Sequence, residues 1–499
     1  MKTQHHDLNE FDPQIAVSYI GGADQAPSDG RFLTLENPAS RLANGRVHIG
    51  NEADVAAAAA VAADAQRKWA KVPATQKAAL LWAWADIIDA NTTLLAELDM
   101  QAAGRTIGDS LREVAAASRW PRYWGGMVDK ITGAQVPISD GMIAYTRREP
   151  VGICGIILPW NAPTTMFVAR TSAALGCGNA VIAKPSEFTP QSALAVARLW
   201  AQIGGDPGLI NIITGDASTG RAIVDHPAIG SINFTGSVAA GRDINQVAAK
   251  SFKKVVLELG GKAPVIVFPD VDLDVVAEAV SWGVFSNAGQ ICTAGTRLLV
   301  HRAIATEFVE KVAAAAASIR IGDPASKDTQ LGPLVNAKQF ERVQGYVDLG
   351  KQEGATSVAI ADHKGLPEGG YFFKPTIFVD VRPDMRIAQE EIFGPVLVVI
   401  PFDDEDELCT IANGVTYGLS ATVWTNDLGR MFRLSERLDA GSIYGNVPRV
   451  GHPGLAFGGF KDSGVGNAYA EGAIEGNTRT KAVAIRFDNN VPLPSWPNP

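Results

Sequence analysis

The sequence predicts an α/β protein made of two doubly wound units, each with a parallel sheet that is covered by helices on both faces. Helical patterns alternate with short apolar runs through most of the chain, and this rhythm is typical of parallel strands joined by right-handed crossovers. The apolar runs are continuous, as expected for strands that are buried on both faces. A change of rhythm near Gly260 and Gly261 indicates the boundary between the two units.

The part of the chain that precedes the first sheet is predicted to be helical. Residues 52–70 are rich in alanine and amphipathic, and residues 76–100 and 109–128 also show the helical spacing of apolar side chains. Pro121 lies inside the last of these segments. It is expected to kink or break the helix, because proline has no backbone N–H to donate.

Five short apolar runs then alternate with helical segments, which predicts the sheet of the first unit. The predicted strands are 151–158, 179–184, 209–213, 229–234 and 253–258, and the helices between them are 163–175, 189–203, 216–225 and 236–249. A nucleotide is the usual ligand of such a sheet and binds at the carboxyl ends of the strands.

A further alternation predicts the second unit, and two more strands fit neither sheet. The strands of the second unit are 264–268, 296–301 and 396–402, with helices near 272–288, 303–319 and 404–413. Residues 143–149 and 477–486 alternate in polarity and are predicted as strands of a separate interface element, and the tail 489–499 is predicted to be irregular. The acidic run 403–407 lacks calcium-loop spacing and is interpreted as a helix start, so no metal site is predicted.

Composition and charge exclude several classes of protein. The 499 residues are 46% hydrophobic and 19% charged, which argues against disorder. The net charge of −9, without a basic stripe, argues against nucleic acid as a partner. We expect no membrane span and no secretion signal, since no run of 18 apolar residues occurs and the N-terminus is polar. The four cysteines lack metal or disulfide spacing, which favours a reducing compartment, and we expect a cytoplasmic protein.

Three segments of the first unit are candidates for binding a nucleotide. The glycine turns 215–220 and 236–241 each follow a predicted strand and open a helix, where free N–H groups suit a pyrophosphate. Ordinary tight turns are the alternative for both. Lys184 and Glu187 end another strand, where a carboxylate can accept the ribose hydroxyls of an adenine nucleotide. A solvated charged loop is the alternative there.

Three residues are candidates for catalysis. Cys292 lies between a helix and a strand, where a partly exposed thiolate would be a nucleophile; a small buried hydrophobe is the alternative. Glu258 ends an apolar strand, and burial raises a carboxyl pKa toward a value useful for a general base; a paired edge carboxylate is the alternative. Asn161 follows a strand, where its amide would hold an oxyanion or simply form a turn.

Taken together, these segments resemble the aldehyde dehydrogenase superfamily over nearly the whole chain. The matching motifs, in the family's order and spacing, are PWN at 159–161, KPSE at 184–187, FTGS at 234–237, LELGGKAP at 257–264, FSNAGQICTAGTR at 285–297, EEIFGP at 390–395, Asn446 and FGGFKDSGVG at 457–466. The resemblance implies a coenzyme-binding domain (1–130 and 150–259), a catalytic domain (260–465), and an oligomerisation element and tail (131–149 and 466–499). It also implies a homodimer or homotetramer.

The resemblance implies NAD-dependent oxidation of an aldehyde to a carboxylic acid through a cysteine thiohemiacetal and a thioester. It assigns Cys292 as nucleophile, Glu258 as general base, and Asn161, with the backbone N–H of Cys292, as the oxyanion hole. Glu187 would repel the 2′-phosphate of NADP, but Lys184 softens that repulsion, so NADP use stays open. The other implied coenzyme contacts are Trp160, Gly215, Phe234, Gly236, Ser237, Leu259, Glu391 and Phe393.

The substrate implied by the resemblance is a small-molecule aldehyde, and small side chains at the expected pocket favour a bulky or aromatic one. The pocket residues implied are Ala116, Ala162, Ala169, Arg170, Arg449, Gly451, His452 and Phe457. Arg449 and His452 share a loop with Gly451, so a semialdehyde with an anionic tail is the alternative substrate; both residues being merely exposed is the other interpretation. Arg170 stands where the family often has lysine, and we expect a fixed charge there while waters carry the proton.

Two other hypotheses remain for the function. One is thiol-based ester hydrolysis by Cys292 and Glu258, which would need no hydride acceptor. The other is a non-catalytic binding or structural protein on the same fold, and the presence of both residues argues against it.

Overall fold

The computed structural model describes residues 8, 11–26, 29–138, 140–360 and 366–489. It confirms the α/β class, with one sheet of eight strands and another of seven, and with helices between successive parallel strands. No helix within these ranges is long and apolar enough to cross a membrane. Within the same ranges, no group of His, Cys, Asp and Glu side chains has the arrangement of a metal site. Most of the predicted irregular tail, residues 490–499, lies outside the described residues.

The chain begins with short strands that the sequence does not predict. They are β1 (Ile15–Ala16), β2 (Ser18–Ile20), β3 (Ala23–Gln25), β4 (Phe32–Glu36) and β5 (Ala43–His48). β1, β5 and β4 form a small separate sheet, whereas β2 and β3 extend one end of the eight-stranded sheet. Their short length and mixed polarity give no periodic signal, so long-range pairing determines them.

Five helices follow, where the sequence predicts three. They are α1 (Glu52–Trp69), α2 (Ala74–Ala90), α3 (Thr92–Ala103), α4 (Ile107–Ala117) and α5 (Arg119–Met127). Asn51 and Asp54 form a capping box that begins α1. The predicted helix 109–128 does break, but it breaks at Ser118, and Pro121 lies in the first turn of α5, where its missing N–H costs little.

The first predicted series of strands and helices is confirmed. After β6 (Gln135–Val136) and β7 (Met142–Pro150), the chain forms β8 (Ile153–Ile157), α6 (Pro163–Gly176), β9 (Ala180–Lys184), α7 (Gln191–Gln202), β10 (Ile210–Ile212), α8 (Ala217–Asp225), β11 (Ile229–Thr235), α9 (Val238–Ala249) and β12 (Lys254–Glu258). The spatial order β12-β11-β8-β9-β10 is parallel throughout. The strand order therefore changes direction beside β8, which opens a crevice at its carboxyl end.

The second unit contains more strands and helices than the sequence predicts. It contains β13 (Pro264–Val267), α10 (Leu273–Phe285), β14 (Arg297–His301), α11 (Ala305–Ala317), α12 (Ala337–Gln352), β15 (Thr356–Ser357), β16 (Thr376–Val379), α13 (Arg386–Gln389), β17 (Val396–Phe402), α14 (Glu405–Asn413), β18 (Tyr417–Gly418), β19 (Ser420–Trp424), α15 (Leu428–Arg437) and β20 (Ser442–Gly445). The seven-stranded order is β15-β16-β17-β14-β13-β19-β20. Only β15 pairs antiparallel in it, among the described strands.

The C-terminal part of the chain returns to the first unit before it reaches the outlying strands. It forms β21 (Phe460–Lys461), β22 (Gly464–Val465), α16 (Ala470–Asn477) and β23 (Thr478–Arg486). β22 pairs with β12 at the edge of the eight-stranded sheet, and Ala473 of α16 is buried in the first unit's core. Thus residues 464–477 pack with the first unit, while β23 pairs with β7 along its full length as the alternating pattern suggests.

Candidate active site

Cys292 lies where two cavities meet. After α10 the chain passes through a 3₁₀ turn, Ser286–Gly289, and Cys292 follows with a half-buried side chain. One cavity of about 490 Å³ lies on the side of β8 and β11, and another of about 250 Å³ lies on the opposite side. Cys292 and Asn161 line both cavities, so ligands in the two cavities would lie against the same pair of residues.

The larger cavity contains most of the residues predicted to contact a coenzyme. Trp160, Glu187, Gly236, Ser237, Leu259, Glu391 and Phe393 line it. Lys184, Gly215 and Phe234 are not among its lining residues, but all three support its wall. Lys184 Nζ donates to Gly215 O over 2.8 Å, and the Phe234 ring packs so closely on Gly236 that a Cβ there would meet it at 2.5 Å.

Groups within the protein contact the two carboxylates that line this cavity. Glu391 Oε1 accepts a 3.0 Å hydrogen bond from the Gly261 N–H, and burial raises the pKa of Glu391. Lys184 is buried, donates to Pro185 O as well as Gly215 O, and lies 3.5 Å from Glu187. Burial lowers the pKa of the Lys184 ammonium, while Glu187 opposes that change. Glu187 is therefore partly neutralised by a lysine whose hydrogen bonds are directed into the protein.

The smaller cavity is lined mainly by apolar and aromatic side chains. Ala162, Arg449, Gly451, His452 and Phe457 were predicted, and they line it. Trp120 and Tyr469 were missed; their rings lie 4.1 Å apart, and Phe457 stacks on Tyr469 at 5.4 Å. Further lining residues that the sequence analysis missed are Arg105, Asp109, Glu113, Thr165, Met166, Tyr444 and Leu455. No local pattern identifies them, because they come from separate helices and loops.

Three predicted pocket residues lie elsewhere. Ala169 is buried in the core of the first unit. Ala116 does not line the cavity, because α4 presents Asp109 and Glu113 to it instead. Arg170 lies behind the wall, 1% exposed, with its guanidinium 5.1 Å from the centre of the Tyr469 ring. These three residues therefore do not set the dimensions of the cavity directly.

The charged side chains of the smaller cavity form ion pairs with one exception. Arg105 pairs with Glu113, and Asp109 pairs with Arg112. Arg449 has no ion pair with any residue in the described ranges. Its guanidinium lies 4.1 Å from the centre of the Trp282 ring, and Nη2 donates to Ser286 Oγ over 3.1 Å. The cavity wall thus presents one cation without a direct ion pair among the described residues, and the carboxylates of Glu113 and Asp109 act on it only at longer range.

Glu258 ends β12 in a buried environment beside the crevice. It is 2% exposed, and within the part of the chain that the structure describes neither carboxyl oxygen has a hydrogen-bond partner. Burial raises the pKa of Glu258 to about 8, against the opposing charge of Arg170. Arg170 donates to Thr235 Oγ1 over 3.3 Å, and its other two nitrogens have no partner among the same residues. Such a carboxyl group exchanges a proton near neutral pH.

The sulfur of Cys292 is less acidic than a thiolate nucleophile requires. Burial, followed by the carboxyl groups of Glu391 and Glu258, raises the pKa of Cys292 to about 12. The backbone N–H groups of Cys292 and Thr293 oppose this rise, because they donate toward the sulfur. These surroundings favour the protonated thiol, and a thiolate in the resting protein stays a prediction. An attack by the protonated thiol would need a proton acceptor, and Glu258, whose charge acts on the sulfur, is a candidate.

Asn161 follows β8 at the point where the strand order changes direction. Its Nδ2 donates one hydrogen bond to Gln290 O over 3.0 Å, which leaves a second N–H for a ligand. The backbone carbonyl of Asn161 accepts hydrogen bonds from the side chains of Arg105 and Asn287. The amide is thus held beside Cys292 by bonds from both units.

Comparison with known proteins agrees with this geometry. The family model for the aldehyde dehydrogenase family matches residues 25–483. A solved aldehyde dehydrogenase from Burkholderia cenocepacia, described as putative, is 38% identical, with a TM-score of 0.93 over 96% of this chain and 99% of that one. The NAD⁺ complex of a Bacillus cereus aldehyde dehydrogenase is 37% identical, with a TM-score of 0.92 over 96% and 98%. An indole-3-acetaldehyde dehydrogenase in complex with NAD⁺ is 34% identical, with a TM-score of 0.92 over 94% and 96%. The chain belongs to the aldehyde dehydrogenase family.

Proposed function

We propose that this protein oxidises an aldehyde to a carboxylic acid with NAD as hydride acceptor. The observation that carries the proposal is the position of Cys292, a residue that lines both the larger and the smaller cavity. An aldehyde bound in the smaller cavity would present its carbonyl carbon to the sulfur, and a coenzyme in the larger cavity would lie on the other side. Such alignment of two reactants is a main contribution that a protein makes to hydride transfer.

The residues of the larger cavity fit a dinucleotide. α9 begins at Val238 directly after Gly236 and Ser237, so its N-terminal N–H groups suit a pyrophosphate. Glu187 and Glu391 would accept ribose hydroxyls, and Phe393, in edge contact with Trp160 at 5.4 Å, would pack near the nicotinamide. The relatives solved with NAD⁺ support the same assignment. When bound, the coenzyme supplies the acceptor for the hydride.

The proposed reaction uses three side chains in turn. Cys292 attacks the carbonyl carbon as its thiol proton passes to Glu258, directly or through water. Asn161 Nδ2 and the Cys292 N–H stabilise the oxyanion of the thiohemiacetal, and one such donor typically contributes about 3 kcal/mol to transition-state stabilisation. After hydride transfer, Glu258 loses the thiol proton to solvent. It then removes a proton from the water that attacks the thioester and passes that proton to the leaving sulfur. The carboxylic acid and the free thiol are then released.

The experiment that tests the proposal measures reduced-nicotinamide absorbance on mixing protein, NAD and a panel of aldehydes. We expect signal with the native chain and none with Cys292→Ala. A signal retained in that variant would remove the thiol from the reaction. Ester hydrolysis without NAD, measured in parallel, distinguishes a thiol hydrolase from a dehydrogenase, and absence of both activities in the native chain would favour a binding protein.

We propose that the substrate is a bulky or aromatic aldehyde. Trp120, Phe457 and Tyr469 provide flat apolar walls, and Ala162 and Gly451 leave space beside them. An aldehyde with an anionic tail is the second candidate, since Arg449 lines the smaller cavity and has no direct ion pair among the described residues. Comparing kcat/KM for acetaldehyde, benzaldehyde and 4-carboxybenzaldehyde separates the candidates, and preference for acetaldehyde contradicts both.

NAD is the proposed coenzyme, and NADP would be used poorly. Glu187 would face the 2′-phosphate, and the ammonium of Lys184 is directed to Pro185 O and Gly215 O.

We further propose a homodimer or homotetramer, supported by the β6-β7-β23 element, on which Val136, Ile143 and Ile485 are exposed. Four free cysteines support a reducing compartment and hence the cytoplasm. The ratio of kcat/KM for NAD to kcat/KM for NADP tests the coenzyme choice, and light scattering tests the oligomeric state.

A further inference from the structure

The turn before Cys292 has an uncommon backbone. Asn287 and Ala288 have φ of 52° and 53° with ψ of 34°, and Gly289 has φ of 71°. This left-handed region suits glycine and is tolerated by asparagine, but the Cβ of alanine disfavours it. Ala288 is nevertheless 1% exposed in the second unit's core. Conformations of this kind persist only where surrounding contacts fix them.

The Asn287 side chain supplies contacts that fix this turn. Its Nδ2 donates to Gln290 O over 3.2 Å and to Asn161 O over 3.4 Å. Asn161 Nδ2 donates to the same Gln290 carbonyl over 3.0 Å. The three residues therefore form a closed, buried ring of hydrogen bonds, and the ring joins the loop after β8 to the loop that carries Cys292.

The opposite side of the turn is also held. A Cβ on Gly289 would lie 2.2 Å from Gly394 O, so the turn packs directly on the segment that carries Phe393. The side chain of Gln290 donates to Asn287 O over 3.1 Å and accepts from the Val335 N–H over 3.0 Å. The turn thus contacts Asn161 on one side and the segment that carries Phe393 on the other.

We propose that Asn287 is a positioning residue, whose amide sets the separation between the Asn161 amide and the Cys292 sulfur by locking the left-handed turn against Asn161. This inference rests on the proposed function, in which Asn161 stabilises the oxyanion. Asn161 belongs to the first unit and Cys292 to the second, so their separation depends on bonds that cross between the units. Oxyanion donors act only within a narrow range of distance, and a 1 Å displacement costs about 100-fold in rate.

A matched pair of variants tests the role of the amide. Asn287→Gly and Ala288→Gly each add one glycine to the same turn, but only the first removes the side-chain hydrogen bonds. We expect the burst of reduced nicotinamide to slow about 10- to 100-fold in Asn287→Gly, with KM for NAD unchanged. Ala288→Gly should keep the native burst rate and a melting temperature close to native, because relief of the left-handed backbone offsets the loss of one buried methyl group.

A double-variant cycle separates positioning from general damage. In an Asn161→Ala background the donor being positioned is absent, so adding Asn287→Gly should slow the burst much less than it does in the native chain. Equal losses in Asn287→Gly and Ala288→Gly, or fully additive losses in the cycle, overturn the inference while leaving the proposed function intact. A native burst in Asn161→Ala alone removes Asn161 from oxyanion stabilisation and overturns the inference, whereas absence of any burst in the native chain overturns the proposed function.

Folding of the variants is followed by circular dichroism and thermal melting. Asn287→Asp replaces Asn287→Gly if the glycine variant does not fold, because aspartate tolerates the same backbone but has no Nδ2–H donor. We expect the same slow burst from Asn287→Asp and the same lack of additivity with Asn161→Ala. A native burst rate in Asn287→Asp contradicts the inference.

Discussion

The two cavities that meet at Cys292 are built in different ways. The larger one is lined by the ends of neighbouring strands and by short motifs, such as Gly236 and Ser237 after β11 and Glu391 before β17. The smaller one is assembled from α4, α5, α6 and the loops near 449 and 457. The first surface is a consequence of sheet topology, whereas the second depends on how separate helices pack. We therefore expect the larger cavity to be intolerant of added atoms and the smaller one to accept them.

The largest expected effect concerns Glu258, which is proposed to act both in the attack of the thiol and in the hydrolysis of the thioester. In Glu258→Gln both the thiol and the attacking water lose their proton acceptor, so we expect a slower burst of reduced nicotinamide and then turnover about 10²- to 10⁴-fold slower. In the native protein, kcat should rise with pH through about 8, because burial raises the pKa of Glu258 to about 8 and the base must lose its proton. Multiple rapid turnovers in Glu258→Gln would falsify this role.

Stability provides a second readout for the same variant. The folded pKa of about 8 exceeds the ordinary value of 4.5, so between these values the unfolded chain has lost a proton that the folded chain keeps. The native free energy of unfolding should therefore fall as pH rises through this window and level off above it. Glu258→Gln lacks that contribution, so its stability relative to the native chain should increase across the window. Parallel stability curves would indicate that Glu258 is not buried.

The second prediction tests the close packing of the larger cavity. A Cβ on Gly260 would lie 2.3 Å from Glu391 Oε2, so Gly260→Ala must displace the carboxylate proposed to bind the nicotinamide ribose. Loss of hydrogen bonds to a charged group typically lowers affinity about 10- to 100-fold, and we expect the Kd for NAD to rise by that factor. Isothermal titration with NAD measures it. Native affinity for NAD would separate Glu391 from coenzyme binding.

The difference between the cavities also explains what the sequence predicted. Strands such as β8, β9 and β17 were found within about two residues because continuous apolar runs identify buried parallel strands. β22 was missed, since two residues give no pattern and pairing with β12 alone determines the strand. Cys292, Glu258 and Asn161 were predicted from motifs, and the structure brings Cys292 and Asn161 together at both cavities. Arg105, Trp120 and Tyr469 were missed because tertiary packing alone brings them together.

The third prediction concerns the cation of the smaller cavity. Arg449→Met keeps a long side chain over Trp282 but removes the charge. If the substrate has an anionic tail, kcat/KM for 4-carboxybenzaldehyde should fall about 10- to 100-fold, while kcat/KM for benzaldehyde should change little. The ratio of the two values is the measurement, because it cancels any general loss of activity. Equal losses for both aldehydes would assign Arg449 to packing instead, consistent with its contacts to Trp282 and Ser286.

The smallest expected effect comes from Gly451→Ala, the matched control for Gly260→Ala. A Cβ on Gly451 would meet nothing within 4 Å, and Gly451 lines the smaller cavity at an exposed position. The added methyl group should leave KM for NAD and kcat/KM for acetaldehyde within about twofold, because a surface substitution without a clash typically changes free energies by less than about 0.5 kcal/mol. A modest loss confined to bulky aldehydes would place those substrates at the mouth beside Gly451. A loss as large as that of Gly260→Ala would mean that the smaller cavity is as closely packed as the larger one, and the contrast between them would fail.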